Sequence, residues 1–162
     1  MSSRTLLKEL IPAGQALSLS SLMAYKYELC SRPKLLESVS RQMLSKLESL
    51  EYDRLVGCEL GAVSFVTLMS LYAGMPYLLL RKTVKKYGTQ KQLEGRFSDG
   101  DRVVLVDDFI LNSSALDRLV MPLKEAGLLI SGVVCLASRQ NVTASFPVYS
   151  LLDADNVDDT FL

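Results

Sequence analysis

Short runs that are apolar at nearly every position recur along this chain, at Leu55–Cys58, Tyr77–Leu80, Val103–Val106 and Val133–Leu136. A strand with one wet face alternates apolar and polar residues, whereas a strand covered on both faces is free to be apolar throughout. Helical periods lie between these runs: Leu35, Leu36, Val39, Met43, Leu47 and Leu50, then Ala62 to Tyr72, then Leu116, Leu119, Val120, Leu123 and Ala126. Buried strands alternating with helices require right-handed crossovers, which predicts an α/β fold with an open, mainly parallel sheet flanked by helices. The 162 residues, 49% of them hydrophobic, suit one core and a single domain over residues 1–162.

The local signals fill in the rest. A short helix is expected around Thr5–Leu10, ended by Pro12, then a small and polar loop over Gly14–Ser21 and an edge strand at Met23–Leu29. Ser31 is placed to cap the next helix, with Pro33 in its first turn. Gly74 and Gly127 stop the second and third helices, and Pro122 inside the third predicts a kink, since an interior proline costs about 3 kcal/mol. Pro147–Leu152 reads as a last short strand.

Charge and cysteine usage exclude several function classes. The chain has 18 basic and 18 acidic residues, so no net positive field recruits nucleic acid or an anionic membrane. No histidine is present, and Cys30, Cys58 and Cys135 are widely spaced without a C-x-x-C pair, which reads as core thiols rather than a zinc site. Met1 to Leu10 lacks the apolar run of a signal peptide, and the longest apolar stretches fall well short of the ~20 residues of a membrane helix. A cytoplasmic protein acting on small molecules is expected.

In an open α/β sheet, ligands bind beyond the carboxyl ends of the strands. Here those ends are followed by polar residues. Val103–Val106 runs into Asp107 and Asp108, and adjacent acids at a buried strand end need partners such as ribose hydroxyls or a magnesium-bound diphosphate. Asn112, Ser113 and Ser114 then offer side-chain donors and the amides of a helix N-terminus. Read alone, the same residues serve equally as turn formers and helix caps. The segment Arg81–Lys91 is basic and lacks an apolar period, so it is either a mobile loop that closes over a polyanion or a solvated charged loop. Gly57–Gly61 is a tight strand-to-helix turn whose glycines let amides approach a diphosphate. Arg139, at the end of another strand, suits a planar carboxylate, although most such arginines are solvated.

Taken in this order, the segments resemble orotate phosphoribosyltransferases and the matching half of UMP synthases, within the type I phosphoribosyltransferase superfamily. The resemblance runs from about Pro33 to Gln140. Its firmest stretches are R-K-x-x-K-K-Y-G-T-x-K-x-x-E-G over Arg81–Gly95 and G-D-R-V-V-L-V-D-D over Gly100–Asp108, with G-C-E-L-G-A at Gly57–Ala62 and S-R-Q at Ser138–Gln140. It implies a glycosyltransferase that moves ribose 5-phosphate from phosphoribosyl diphosphate to orotate, giving orotidine 5′-monophosphate and diphosphate, in pyrimidine biosynthesis. By that resemblance Asp107 and Asp108 hold the ribose hydroxyls and, mostly through the bound diphosphate, Mg2+. Glu59, Leu60 and Gly61 line the diphosphate together with Arg81, Lys82 and Lys86, while Lys85 stabilises the leaving group from across a two-fold homodimer. Asn112, Ser113, Ser114 and Ala115 cradle the 5′-phosphate, and Arg139 meets the orotate carboxylate. Residues 1–30 form an N-terminal substrate-side segment in which Ser20, Ser21 and Tyr25 lie near the family's substrate residues.

The departures are as informative. The family usually follows its acidic pair with threonine, a small residue, glycine and threonine, where this chain has Leu111, Asn112, Ser113 and Ser114. Tyr87 stands where many members have histidine, and Ser138 replaces the usual aspartate before the arginine. An altered phosphate turn keeps two other readings open: a non-catalytic or regulatory protein of the same fold, and a phosphoribosyltransferase for another base.

Overall fold

The computed structural model describes residues 5–6, 9, 19–82 and 92–156. Strands β1 (Arg54–Cys58), β2 (Tyr77–Leu80), β3 (Leu93–Glu94), β4 (Arg102–Ile110), β5 (Leu129–Ser138) and β6 (Val148–Asp153) form one sheet in the order β3-β2-β1-β4-β5-β6. All pairings are parallel except β2 with β3. The central strands are covered on both faces, with Leu55, Val56, Val103 to Val106 and Val133 to Ala137 at or near zero exposure. This is the arrangement their uninterrupted apolar runs demand.

Helices α1 (Leu19–Tyr25), α2 (Pro33–Ser45), α3 (Val63–Ala73) and α4 (Ser113–Glu125) flank the sheet. Pro33 opens α2 as expected, but the N-cap position is Arg32, because Ser31 closes a 3-10 helix over Lys26–Ser31. Gly74 ends α3 with a left-handed φ of 62° that a β-carbon would oppose. Helix α4 starts at the Asn112 cap and runs through Pro122.

The edge strand expected at Met23–Leu29 is instead helical, as are the last residues of the expected Gly14–Ser21 loop. Leu22 and Leu29 are buried while Met23 and Tyr27 are exposed, and Leu22, Lys26 and Leu29 share one face at helical spacing. A strand would have buried Met23 and Tyr27 with Leu29 instead. Strand β4 also runs further than expected. Its ladder with β5 continues through Phe109 opposite Ala137 and Ile110 opposite Ser138, so Asp107 and Asp108 are strand residues, as expected, with two more strand residues beyond them.

The two ends of the strands differ in chemistry. At the amino ends, Arg54 meets Asp101 at 2.5 Å, and Arg102 meets Glu51 at 2.6 Å and Asp53 at 3.3 Å. These pairs satisfy one another. At the carboxyl ends a cavity opens.

Candidate active site

Asp107 is 8% exposed at the carboxyl end of β4. Its Oδ1 accepts from the Asp108 amide at 2.8 Å, and Asp108 Oδ1 accepts from the Phe109 amide at 2.8 Å. Burial, and then the charge of Asp108, push the Asp107 carboxyl up to about 7, so near neutrality it is poised between its acid and its ionised form. Cys58 lies beside the pair and is held as a neutral thiol, since burial and both aspartates push it well above its ordinary range.

Asp108 faces two features that order it. One is Gly61: a β-carbon there would stand 1.9 Å from Asp108 Oδ2, so only glycine leaves room for the carboxylate. The other is Lys26, whose Nζ forms an ion pair and hydrogen bond with Asp108 Oδ2. Burial alone would lower the Lys26 ammonium, but the hydrogen bond and charge of Asp108 outweigh it and the group is raised. Lys26 also lies 4.8 Å from the Tyr27 ring centroid and 5.2 Å from that of Phe109, within range of the negative ring faces.

A cavity of about 480 Å³ joins these groups to cations from other elements. Asp107 and Asp108 line it with Lys26, Arg81, Lys82 and Arg118. Arg81 follows β2, and its guanidinium is set by Glu94, 3.1 Å from Nε, and by Glu59, 3.6 Å from Nη1. The Arg81 amide donates to the Gln92 carbonyl at 2.8 Å, which ties the two ends of the basic segment together. Residues 83–91, including Lys85 and Lys86, lie outside the described residues.

The other expected residues divide. Asn112 and Ala115 line the same cavity, whereas Ser113 turns its Oγ to Thr143 and Ser114 lines no wall of it. Glu59 contributes its carboxylate to Arg81. Leu60 and Gly61 line a neighbouring apolar cavity of about 500 Å³ that shares Lys26. Their peptide neighbourhood is compact, with the Glu59 amide donating to Leu80 at 2.8 Å and the Glu59–Leu60 bond in the cis form. Arg139 lines a smaller cavity, about 270 Å³, with Ser138, Gln140 and Asp153, and its Nε is 3.9 Å from Asp155 Oδ1. The structure thus sets it apart from the Asp107–Asp108 cavity. Ser20 and Ser21 lie on α1, and it is Met23 and Lys26 that reach the cavity.

Lys26, Phe109 and Arg118 were not legible as site residues. The helical spacing of Lys26 with Leu22 and Leu29 was the available signal, and it places the ammonium on the buried face. Among the described residues, no group of three or more His, Cys, Asp or Glu forms a metal site of protein ligands alone, and no helix is long and apolar enough to cross a membrane.

No protein-family model matches the chain. A curated orotate phosphoribosyltransferase from Pyrococcus furiosus is 36% identical over 115 residues, covering 70% of this chain and 63% of that protein. The chain is a relative of the orotate phosphoribosyltransferases. It spans less than two thirds of the length of that curated relative. Among solved structures, it is similar to the Mycobacterium tuberculosis orotate phosphoribosyltransferase in complex with Fe(III) dicitrate, with a TM-score of 0.64 and 23% identity over 75% of this chain and 74% of that one. It is similar also to an adenine phosphoribosyltransferase from Thermoanaerobacter pseudethanolicus, with a TM-score of 0.63 and 17% identity over 75% and 81% of the two chains. These likenesses establish the type I phosphoribosyltransferase fold for this relative, in agreement with its open, mostly parallel sheet.

Proposed function

We propose that this protein transfers ribose 5-phosphate from phosphoribosyl diphosphate to orotate, releasing diphosphate. The observation that carries the reading is the meeting of Asp107 and Asp108 with Arg81 and Lys82 in one cavity of a chain related to enzymes of that name. The acids suit ribose hydroxyls, and the cations beyond β2 suit a diphosphate. Mg2+ fits this donor set, because it is usually held by one or two carboxylates together with substrate phosphates. Asp107 and Asp108 would receive it mostly through the diphosphate, where it would neutralise charge on the leaving oxygens.

As the bond between ribose C1 and the diphosphate oxygen breaks, the bond from C1 to the orotate ring nitrogen forms. Orotate attacks as an anion, so no strong general base is needed, which suits a chain without histidine. Arg81, Lys82 and Lys86 gather the diphosphate, and Lys85 meets the leaving oxygen as its charge develops, an interaction that lowers the barrier because it strengthens in the transition state. The resemblance assigns Arg139 to the base carboxylate, although it lines a different cavity from Asp107 and Asp108. The resemblance also supports a cytoplasmic homodimer in which Lys85 acts across the interface. Three free thiols suit a reducing compartment.

Incubating the protein with phosphoribosyl diphosphate, Mg2+ and a panel of bases, and resolving the products, tests the reading. Orotidine 5′-monophosphate is expected with orotate. A nucleotide formed only with another base would move the specificity, and no nucleotide with any base would leave a binding protein of this fold.

A further inference from the structure

The turn between β4 and α4 is where a ribose 5-phosphate bound on Asp107 and Asp108 would present its phosphate, and part of the hydrogen-bonding capacity of that turn is already engaged. Asn112 Oδ1 accepts from the Ala115 amide at 2.8 Å, which takes up a first-turn N–H of α4. Ser113 Oγ accepts from the Thr143 amide at 2.9 Å and lies 3.2 Å from the Thr143 hydroxyl, so it faces the β5–β6 connection instead of the cavity. Leu111 contributes only carbon to the cavity wall. A phosphate arriving here must find its charge partner elsewhere.

Arg118 is that partner in position and in chemistry. Ala115, Arg118 and Leu119 are spaced three and four residues apart, so they share one face of α4, and all line the cavity. Side chains on a helix lean toward its N-terminus, which carries the Arg118 guanidinium back over Ala115 toward the turn. Arg54, Arg81, Arg102 and Arg139 each face a carboxylate, but Arg118 has no ion pair among the described residues. The residues three and four away from it on α4, namely Ser114, Ala115, Met121 and Pro122, carry no acid to neutralise it. Asp117 is its chain neighbour and points to a different face.

The cavity therefore has two cationic poles. Arg81 and Lys82 stand beyond β2, Arg118 stands on the helix that follows β4, and the acidic pair lies between them. Phosphoribosyl diphosphate carries the matching pattern, with a diphosphate on one carbon of the ribose, a monophosphate on another, and hydroxyls between. We infer that Arg118 grips the 5′-phosphate of a ribose phosphate ligand, supplying the positive charge that the uncharged 111–114 turn lacks. The guanidinium fork matches two phosphate oxygens at once. This inference rests on the proposed function of the same cavity.

Calorimetric titration of the full-length protein and its Arg118→Gln and Arg118→Lys variants with ribose 5-phosphate, phosphoribosyl diphosphate and inorganic diphosphate, all with Mg2+, separates the two. Arg118→Gln should weaken ribose 5-phosphate and phosphoribosyl diphosphate by about 10- to 100-fold and leave diphosphate unchanged, with Arg118→Lys recovering part of the loss. Arg118 is exposed, so the variants should melt as the parent does. Equal binding of ribose 5-phosphate by parent and Arg118→Gln, or an equal loss for diphosphate, would overturn the assignment and leave the proposed function standing. A parent protein that binds none of these ligands would overturn both.

Discussion

Lys26 and Asp108 pair across 82 residues of sequence, joining the N-terminal helical segment to the end of β4. The pair is nearly enclosed, with side-chain exposures of 12% and 13%. A ligand whose ribose hydroxyls take Asp108 must draw Lys26 away or share it. The ammonium is then free to turn to an anion in the same cavity.

The two members of that pair should be energetically coupled. Lys26→Met or Asp108→Asn alone should lower stability by about 1–3 kcal/mol, because each leaves a polar group largely out of water without its partner. The double variant should lose less than the sum of the two. Urea denaturation of the four proteins measures the coupling, and strictly additive losses would mean that the pair contributes nothing.

Asp107 gives the ligand-free protein a pH dependence of definite sign. Its carboxyl is raised in the folded state, so between about pH 4 and 7 the folded protein retains a proton that the unfolded chain has released. Stability from this group is present at low pH and is lost as pH rises through that window, by about 1.4 kcal/mol per unit. Asp107→Asn should flatten the slope relative to the parent. An unchanged slope in denaturation midpoints from pH 4.5 to 7 would show that Asp107 does not titrate there.

The strands at the centre of the sheet were readable because burial on both faces leaves a continuous apolar signature. The segment from Leu19 to Ser31 was not, because among the described residues its two short helical pieces offer only Leu22 and Leu29 to the core. The polar Lys26 between them breaks the apolar pattern while lining the cavity beside Asp107 and Asp108. Strand β3, with two residues, is too short to show any period, and the continuation of β4 beyond Asp107 and Asp108 runs against the poor strand propensity of aspartate. The acidic pair, Arg81 and Lys82 were legible because their motif is local. Arg118 was not, since one arginine on a helix acquires meaning only when the fold turns that face to a cavity.

For Arg139 the expected outcome is selective. Arg139→Ala should weaken orotate by roughly 2 kcal/mol or more and leave phosphoribosyl diphosphate nearly unchanged. Asp155→Asn, which removes the carboxylate 3.9 Å from the guanidinium, should tighten orotate. Calorimetry with each ligand decides, and an equal loss for both would count against a role in reading the base.

If Lys85 serves the neighbouring subunit, two inactive proteins should repair one another. Mixing Lys85→Ala with the Asp107→Asn, Asp108→Asn double variant under conditions of subunit exchange should restore part of the activity, since some mixed dimers contain one intact site. Exchange without any recovery would place the lysine and the acidic pair in the same subunit's site.

The central claim is that the carboxyl end of β4 holds phosphoribosyl diphosphate through its two carboxylates. Titration calorimetry of the parent protein with phosphoribosyl diphosphate and Mg2+ should show saturable binding, and the Asp107→Asn, Asp108→Asn variant, still folded, should lose at least 10-fold in affinity. Undiminished binding by the double variant, or no binding by the parent, would contradict it.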